Sequence, residues 1–456
     1  MVLIYRIITV VLSLISIISI LISDLSLPKN LIVLPTMFLF LFIVLPMFSK
    51  YIFKYIGITI LNLSMLIRYV ITPFLNSIYG IEMNIGVSTA IDSQFRAINL
   101  MVFEMVSVMV IWCLFYKKFY SDKANPVEIK SKPNLFGWLF MIFASIVLII
   151  NPEILGRYTF IWLASVLKSK TVVEGASINF LIIQLAQIVL TVSLLNLIYR
   201  FYRNDRKIWY LFLSIIIIVF SASFITGTSR FSVILPLTTG FFTLIILFKK
   251  YRKFLIGAAS IIVLIVISLT TMLKRQTINS MNMSTKSSIS GLEGMNTDLQ
   301  LYFSGITNVA HAVETKITFV PFNFDAIFSD LFKNVPIINK VFESSSSALV
   351  NYNEMFYNRI LISDQILPNI GQGFLYFGPL LAPIFSVISV IVVMILDKQI
   401  FKSDSVFEVY IFTYLCLKFA LFYMSNMTIQ IAFFTNFFLL LLLINYMNKK
   451  FILKRS

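Results

Sequence analysis

The only histidine of the chain, His311, lies three residues before a carboxylate, Glu314. On a helix these two side chains would share a face, because positions three apart are neighbours there. A histidine–carboxylate pair is suited to taking a proton from a hydroxyl group. The structural alternative is an exposed surface histidine. The sequence does not rank the pair against four further candidate bases: Glu293, Asp298, Glu354 and Asp364.

Arginine residues in the connections between apolar runs could bind phosphate groups. Arginine is always charged and holds phosphate oxygens in a bidentate manner. Arg230 follows Gly227-Thr-Ser in a very short connection, so we expect two helices to hold it in place. The alternative for each arginine is a side chain that extends to lipid headgroups. The candidates are Arg96, Arg157, Arg230, Arg275 and Arg359.

Three charged residues lie inside apolar runs, and such residues are functional or paired by default. Arg68 and Glu104 fall at similar depths on neighbouring, oppositely running predicted helices, so we expect an ion pair. Lys418 has no obvious partner in the sequence and could help to hold pyrophosphate from a cavity open to the outside.

The amino-acid composition indicates which kind of secondary structure positions these residues. Of the 456 residues, 59% are hydrophobic and only 12% are charged, with a mean hydropathy of +0.92. A soluble fold could not hide that much apolar surface. The apolar runs are continuous and do not alternate, which favours helices over a β-barrel. We therefore predict an all-α, polytopic integral membrane protein.

Apolar runs long enough to span a membrane predict about twelve transmembrane helices. Their approximate ranges are 3–22, 31–48, 54–77, 95–115, 135–151, 178–199, 208–226, 231–248, 254–273, 373–396, 406–424 and 429–447. Short basic connections fall consistently on one side, so we expect both termini to be cytoplasmic. The net charge of +17 then reflects membrane topology, and no nucleic-acid partner is expected.

The connection at 274–372 is unusually long and is predicted to be extracytoplasmic. It is too polar to span, yet Ile306, Val309, Ala310 and Val313 recur at helical spacing, with His311 pointing away from that stripe. A second stripe runs from Ile327 to Phe332. These patterns indicate amphipathic helices that lie on the membrane face or on the helix bundle. The predicted organisation is nine helices in 1–273, this loop, and three helices in 373–456.

Two motifs flank the long loop. Gly227-Thr-Ser-Arg230 lies between two predicted helices, and Ile370-Gly-Gln-Gly-Phe-Leu-Tyr-Phe-Gly378 opens the tenth. In this arrangement the chain resembles the O-antigen and capsule repeat-unit polymerases (the Wzy type), which are related to the O-antigen ligases. The resemblance covers roughly residues 200–400.

The resemblance implies a GT-C-like, metal-independent membrane glycosyltransferase of the bacterial inner membrane. Such an enzyme transfers a growing glycan from undecaprenyl pyrophosphate to the next lipid-linked oligosaccharide. The resemblance assigns pyrophosphate handling to Arg230, Arg359 and Arg157, and makes His311 the counterpart of an outer-loop histidine in the ligases. Membrane lipids, a chain-length regulator and a flippase are the implied partners, and no cofactor is implied.

A different function class fits the same topology. Twelve helices with both termini inside would equally suit a transporter, in particular a flippase of lipid-linked oligosaccharide. The long outer loop argues against it, because alternating access needs no such cap. No sequence repeat relates the two halves of the chain, which also counts against a repeat-built transporter. A non-catalytic scaffold would need no arginine in tight outer turns.

Overall fold

The computed structural model describes residues 2–83, 85–121, 127–160, 178–226, 231–259, 261–262, 265, 292–319, 321–336, 338, 347–358 and 365–453. The helices in chain order are α1 (Val2–Leu21), α2 (Val33–Val44), α3 (Met47–Lys50), α4 (Ile56–Leu66), α5 (Thr72–Tyr79), α6 (Ile91–Phe119), α7 (Leu135–Ile150), α8 (Ile178–Asp205), α9 (Trp209–Ser223), α10 (Phe231–Leu247), α11 (Leu292–Tyr302), α12 (Ile306–Thr318), α13 (Phe324–Phe332), α14 (Ala348–Tyr357), α15 (Asn369–Phe377), α16 (Ile384–Lys402), α17 (Val406–Ala420), α18 (Met427–Phe433) and α19 (Leu439–Leu453). Two three-residue strands, β1 (Tyr158–Phe160) and β2 (Phe224–Thr226), pair antiparallel.

Helices dominate the described part of the chain, which confirms the prediction of an all-α membrane protein. Six helical segments there are long and apolar enough to cross a membrane: Val2–Leu21, Ile56–Tyr79, Ile91–Phe119, Ile178–Asp205, Ile384–Lys402 and Met427–Phe451. A seventh would be the pair Ser232–Leu247 and Lys249–Ala259, which bends by 110°. Three more apolar helices, α2, α7 and α9, are shorter. The count of twelve spans stays a prediction.

The tenth predicted helix, 373–396, is wrong as a single element. The structure has two helices there, because α15 ends at Phe377 and α16 begins only at Ile384. Gly378 follows α15 with a φ of +79°, a left-handed conformation that favours glycine and ends helices. Pro379 comes next and cannot continue the helical hydrogen bonding.

Two compact units make up the fold. Unit 1 comprises Met1–Ala124, Thr285–Lys398 and Lys418–Ala432. Inside it α12 packs on α6, α14 and α15, while α11 packs on α5. A buried apolar cluster joins these short helices, and it includes Ala312, Tyr352, Phe356 and Leu375. The predicted loop helices therefore lie on the helix bundle, the second of the two placements that the sequence left open.

Unit 2 comprises Asn125–Ser284, Gln399–Leu417 and Phe433–Ser456. Helices α7, α8, α9 and α10 pack in sequential pairs, and α19 packs on α7. Connections that charge predicts to lie on one side do meet in this unit. The backbone N–H of Lys130 donates to the carbonyl of Asp404 (2.8 Å), and the Lys132 ammonium lies 2.6 Å from the Asp404 carboxylate.

Candidate functional site

His311 and Glu314 lie on α12, and the predicted helical pairing is confirmed. The distance from His311 Nδ1 to Glu314 Oε2 is 3.7 Å, so the two groups are neighbours without a close hydrogen bond. Their exposure differs sharply: the His311 side chain is 1% exposed and that of Glu314 is 17% exposed. Only the carboxylate of the pair is therefore accessible from outside the protein.

The expectation that His311 points away from the packed side of its helix is wrong. Every residue of α12 from Ile306 to Val313 is buried, because other helices pack on more than one of its faces. The imidazole ring lies 4.8 Å from the Phe356 ring, centre to centre. Burial lowers the pKa of His311 to about 4, since an apolar setting disfavours the charged form. The ring is thus neutral at pH 7.

Glu314 has a definite structural contact. Its Oε1 atom accepts a hydrogen bond from the backbone N–H of Ala90, 2.8 Å away. Ala90 is the residue that caps the start of α6, where N–H groups lack partners inside the helix and a negative charge is stabilised. Oε1 is therefore held in place, and Oε2 faces His311.

The glycine motif that opens the tenth predicted helix packs directly against α12. A Cβ atom on Gly371 would lie 2.6 Å from the Ala312 Cβ, so only glycine allows this approach. One on Gly373 would lie 2.1 Å from the carbonyl oxygen of Ala382. Lys316 Nζ donates to the carbonyl of Leu375 at 2.7 Å. These two glycines therefore permit a close approach of the backbone to neighbouring residues.

A buried carboxylate, Asp330 on α13, was not singled out from the sequence. Its side chain accepts hydrogen bonds from Ser347 (2.9 Å), the backbone N–H of Ala348 (3.1 Å) and Tyr376 (2.5 Å). Lys333 pairs with it at 2.9 Å. The sequence signal was an aspartate on the stripe from Ile327 to Phe332, followed by a lysine at helical spacing.

The Asp330 network holds helices together rather than a ligand. Gln372 donates to Thr428 (2.8 Å) and Tyr376 (3.2 Å), which extends the network to α15 and α18. The adjoining cavity has a volume of only about 10 Å³. That is the size of one water molecule, so no sugar fits there.

The predicted ion pair between Arg68 and Glu104 is confirmed. The two charged groups lie 2.9 Å apart and both are almost fully buried. Glu104 also accepts a hydrogen bond from Ser386, and the Arg68 guanidinium carbon lies 4.3 Å from the Tyr423 ring centre. Arg68 is on a π-helical turn, Ile67–Ile71, between α4 and α5. Such turns insert one extra residue into a helix and are frequent at functional sites.

The candidate phosphate-binding residues divide between described and undescribed parts of the chain. Arg230 and Arg359 lie outside the described residues, as do Arg275 and the candidate base Asp364. Arg157 ends a 3₁₀ turn, Pro152–Arg157, with its guanidinium carbon 5.3 Å from the Phe180 ring centre. Lys418 is buried near the end of α17 and interacts with another group of the protein, so the idea that it lacks a partner is wrong.

The ladder of β1 and β2 brings two of the arginine-bearing connections together in unit 2. Tyr158 pairs with Thr226, which is the last residue before the Gly227-Thr-Ser-Arg230 motif. Arg157 directly precedes Tyr158. Arg230 itself lies outside the described residues. Neither strand is predicted from the sequence, and nor is their pairing.

Three of the remaining candidate bases lie on other helices of the described chain. Glu293 is exposed, and Asp298 and Glu354 are half-buried on α11 and α14. Among the described residues, no group of three or more His, Cys, Asp or Glu side chains could hold a metal ion.

In comparisons with known proteins, no family model matches the chain, and neither does any curated protein or solved structure.

Proposed function

We propose that the chain is a membrane glycosyltransferase that polymerises lipid-linked oligosaccharide repeat units at the outer face of the bacterial cytoplasmic membrane. The observation that carries the proposal is the β1–β2 ladder, which joins the connection of Arg157 to that of Arg230. Two arginines from adjacent connections suit a pyrophosphate group, whose paired phosphates offer oxygens to both. The ladder supports the proposal because a scaffold protein needs no such arrangement.

In the proposed reaction a hydroxyl of the acceptor sugar attacks the anomeric carbon of the donor glycan. The new glycosidic C–O bond forms as the bond from that carbon to the pyrophosphate oxygen breaks. Undecaprenyl pyrophosphate leaves with the bonding electron pair, and Arg157 and Arg230 stabilise the charge that develops on it. Arg359 stays a candidate from the sequence for binding the pyrophosphate, because it lies outside the described residues.

The proposed reaction needs a group that accepts the proton of the attacking hydroxyl, and Glu314 is our candidate for that role. The choice between the two members of the pair rests on access. Glu314 is the more exposed group, whereas the His311 side chain is buried. His311 is then a positioning residue beneath the carboxylate.

The alternative, a transporter or flippase of lipid-linked oligosaccharide, has one observation in its favour. The buried Arg68–Glu104 pair lies on a π-helical turn of an apolar segment, and charged residues in such segments often line transport pathways. Glu104 also accepts hydrogen bonds from Ser386 and Tyr69, so the pair has the partners expected of a structural element.

The lipid-linked glycans of cells that lack the protein distinguish the two functions. Single repeat units that accumulate on the outer leaflet, with no ladder of longer chains, would support the polymerase. Single units confined to the cytoplasmic leaflet would overturn it in favour of the flippase.

Variants then test the residues in complemented cells. We expect Arg230→Ala and Arg157→Ala to abolish long polymer while the protein still inserts, and Glu314→Gln to do the same. The matched controls are Arg200→Ala for the arginines and Asp325→Asn for Glu314, since both residues are exposed and are not candidates for the site. Wild-type chain lengths in Arg157→Ala and Arg230→Ala cells would remove the arginines from the mechanism.

A further inference from the structure

Unit 2 contains a cavity that the proposed reaction does not use. Its volume is about 480 Å³, which is within the range of ligand-binding pockets. Four basic side chains line it: Arg203, Arg206, Lys249 and Lys250. Its walls also include Tyr199, Tyr202 and apolar residues. The connections that carry the four cations are those that the charge pattern predicts to be cytoplasmic.

Two abrupt turns of the backbone bring the cations together. Helix α8 ends at Asp205, and Arg206 adopts a left-handed φ of +53° while its N–H donates to the Tyr202 carbonyl (2.7 Å). On the other side, α10 ends at Leu247 and the next helix leaves at 110°, with Lys249 and Lys250 at the bend. A left-handed arginine is uncommon, and strained residues cluster at binding sites.

The charge balance of the cavity favours an anion. One acidic residue, Glu128, lines it, and its carboxylate lies 2.8 Å from the Arg203 guanidinium. That pair leaves three of the four lining cations as an excess of positive charge. The carboxyl end of α8 contributes about half a negative charge at most, which does not offset three cations.

The side chains that line the cavity indicate which class of ligand it could bind. Arginine and lysine together are typical of phosphate recognition, with arginine as the bidentate donor and lysine as a point charge. The buried Tyr199, Ile129 and Leu247 offer apolar contact beneath the cations. A basic pocket between helices on the predicted cytoplasmic side has the features of a lipid-headgroup site.

We propose that this cavity binds a phosphate-bearing anion, with the cations of the two turns on the phosphate and the apolar floor on the attached group. A membrane phospholipid headgroup and a soluble phosphate compound share that chemistry. The proposal does not depend on the glycosyltransferase function.

The test compares lipid retention by purified full-length variants in bilayers of phosphatidylcholine with or without phosphatidylglycerol. The cavity variant is Lys249→Gln/Lys250→Gln. The matched control is Arg200→Gln/Lys253→Gln, which removes two exposed cations that are not among the residues lining the cavity. Native mass spectrometry counts bound phosphatidylglycerol. We expect about thirtyfold weaker retention in the cavity variant, the effect of two lost cations near an anionic headgroup, and no change in the control.

Arg206→Gly is the second variant, because glycine adopts the left-handed conformation of residue 206 without strain and the change removes one cation. It should fold at least as well as the wild type and still bind about fivefold less phosphatidylglycerol. A separate arm adds inorganic pyrophosphate to protein in phosphatidylcholine alone and follows thermal stability. Stabilisation there, lost in both cavity variants, would support a soluble source. Equal retention in cavity and control variants, with no response to pyrophosphate, would overturn the proposal.

Discussion

The two units differ in how far their charged side chains are buried. Unit 1 buries carboxylates and satisfies them, as with Glu104, Asp330 and Asp397, whose oxygens accept several hydrogen bonds each. In the described part of unit 2 the cations of the ion pairs are partly exposed, as for Arg203 with Glu128 and Lys132 with Asp404, although the Glu408 carboxylate beside Lys449 is buried. Buried pairs are costly to break, whereas exposed pairs contribute little. Charge in unit 1 therefore specifies packing, and charge in unit 2 is available for ligands.

The largest effect should come from breaking the buried pair of unit 1. We expect Arg68→Met to lower the free energy of unfolding by about 3–5 kcal/mol, because Glu104 is then buried without its counter-charge. The double variant Arg68→Met/Glu104→Leu should recover most of that loss. Thermal unfolding in detergent measures both, with Arg203→Met as the exposed control. If the double variant lost as much free energy of unfolding as the sum of its two substitutions, the two charges would not be coupled.

The next effect concerns pH and His311. The pKa of this side chain is about 4 in the folded protein and about 6.5 in an unfolded chain. The unfolded state therefore binds more protons between these values, and stability falls as the pH drops from about 6.5 to about 4. The full loss is about 3 kcal/mol. Unfolding of the wild type and of His311→Gln should be followed over that range, and parallel curves would contradict the prediction.

A smaller effect should follow from replacing a glycine of the motif by alanine, because the added methyl group would meet a close neighbour. We expect Gly371→Ala to destabilise unit 1 by about 1–3 kcal/mol through overpacking against Ala312. Because the clash is with a side chain, Ala312→Gly should rescue it. Gly373→Ala meets the Ala382 carbonyl instead, so Ala312→Gly should not help there. Rescue of both or of neither, seen in melting temperatures, would show that the contacts are not specific.

The smallest effect should come from an exposed pair of unit 2. We expect Glu128→Gln to change the free energy of unfolding by less than about 1 kcal/mol, and less still at high salt. The same variant should bind phosphatidylglycerol more tightly, because it removes the only carboxylate among the residues that line the basic cavity. A loss of several kcal/mol would mean that an exposed ion pair in unit 2 stabilises the protein as much as a buried pair in unit 1. That result would contradict the contrast between the two units.

Much of the helical structure is predictable from the apolar runs. The predicted segment 135–151 matches α7 at Leu135–Ile150, and 178–199 finds the start of α8 at Ile178. The pairing of Arg68 with Glu104 was also predictable, because depth along a helix follows from residue count and a buried charge needs a partner. These features depend on residues that are close in sequence, or on the general rule that a buried charge needs a partner.

Other features were missed because they depend on residues far apart in sequence. The burial of His311 comes from helices that pack on α12, and the Asp330 network joins residues from α13, α14 and α15. Neither leaves a periodic signal, since polar residues at helical spacing look the same whether another helix covers them or not. The basic cavity likewise needs two turns that are about forty residues apart to meet.

The apolar runs and charges of the sequence are enough to predict a helical membrane protein, the starts of most of its membrane helices, and the pairing of Arg68 with Glu104. The reason is that every segment in lipid needs an apolar surface and must make its backbone hydrogen bonds within the protein. The sequence does not predict that Glu314 is accessible, that the single histidine is buried, or that two arginine connections share a β-ladder. These depend on the contacts between elements, and a residue's type constrains its burial only after its neighbours in space are known.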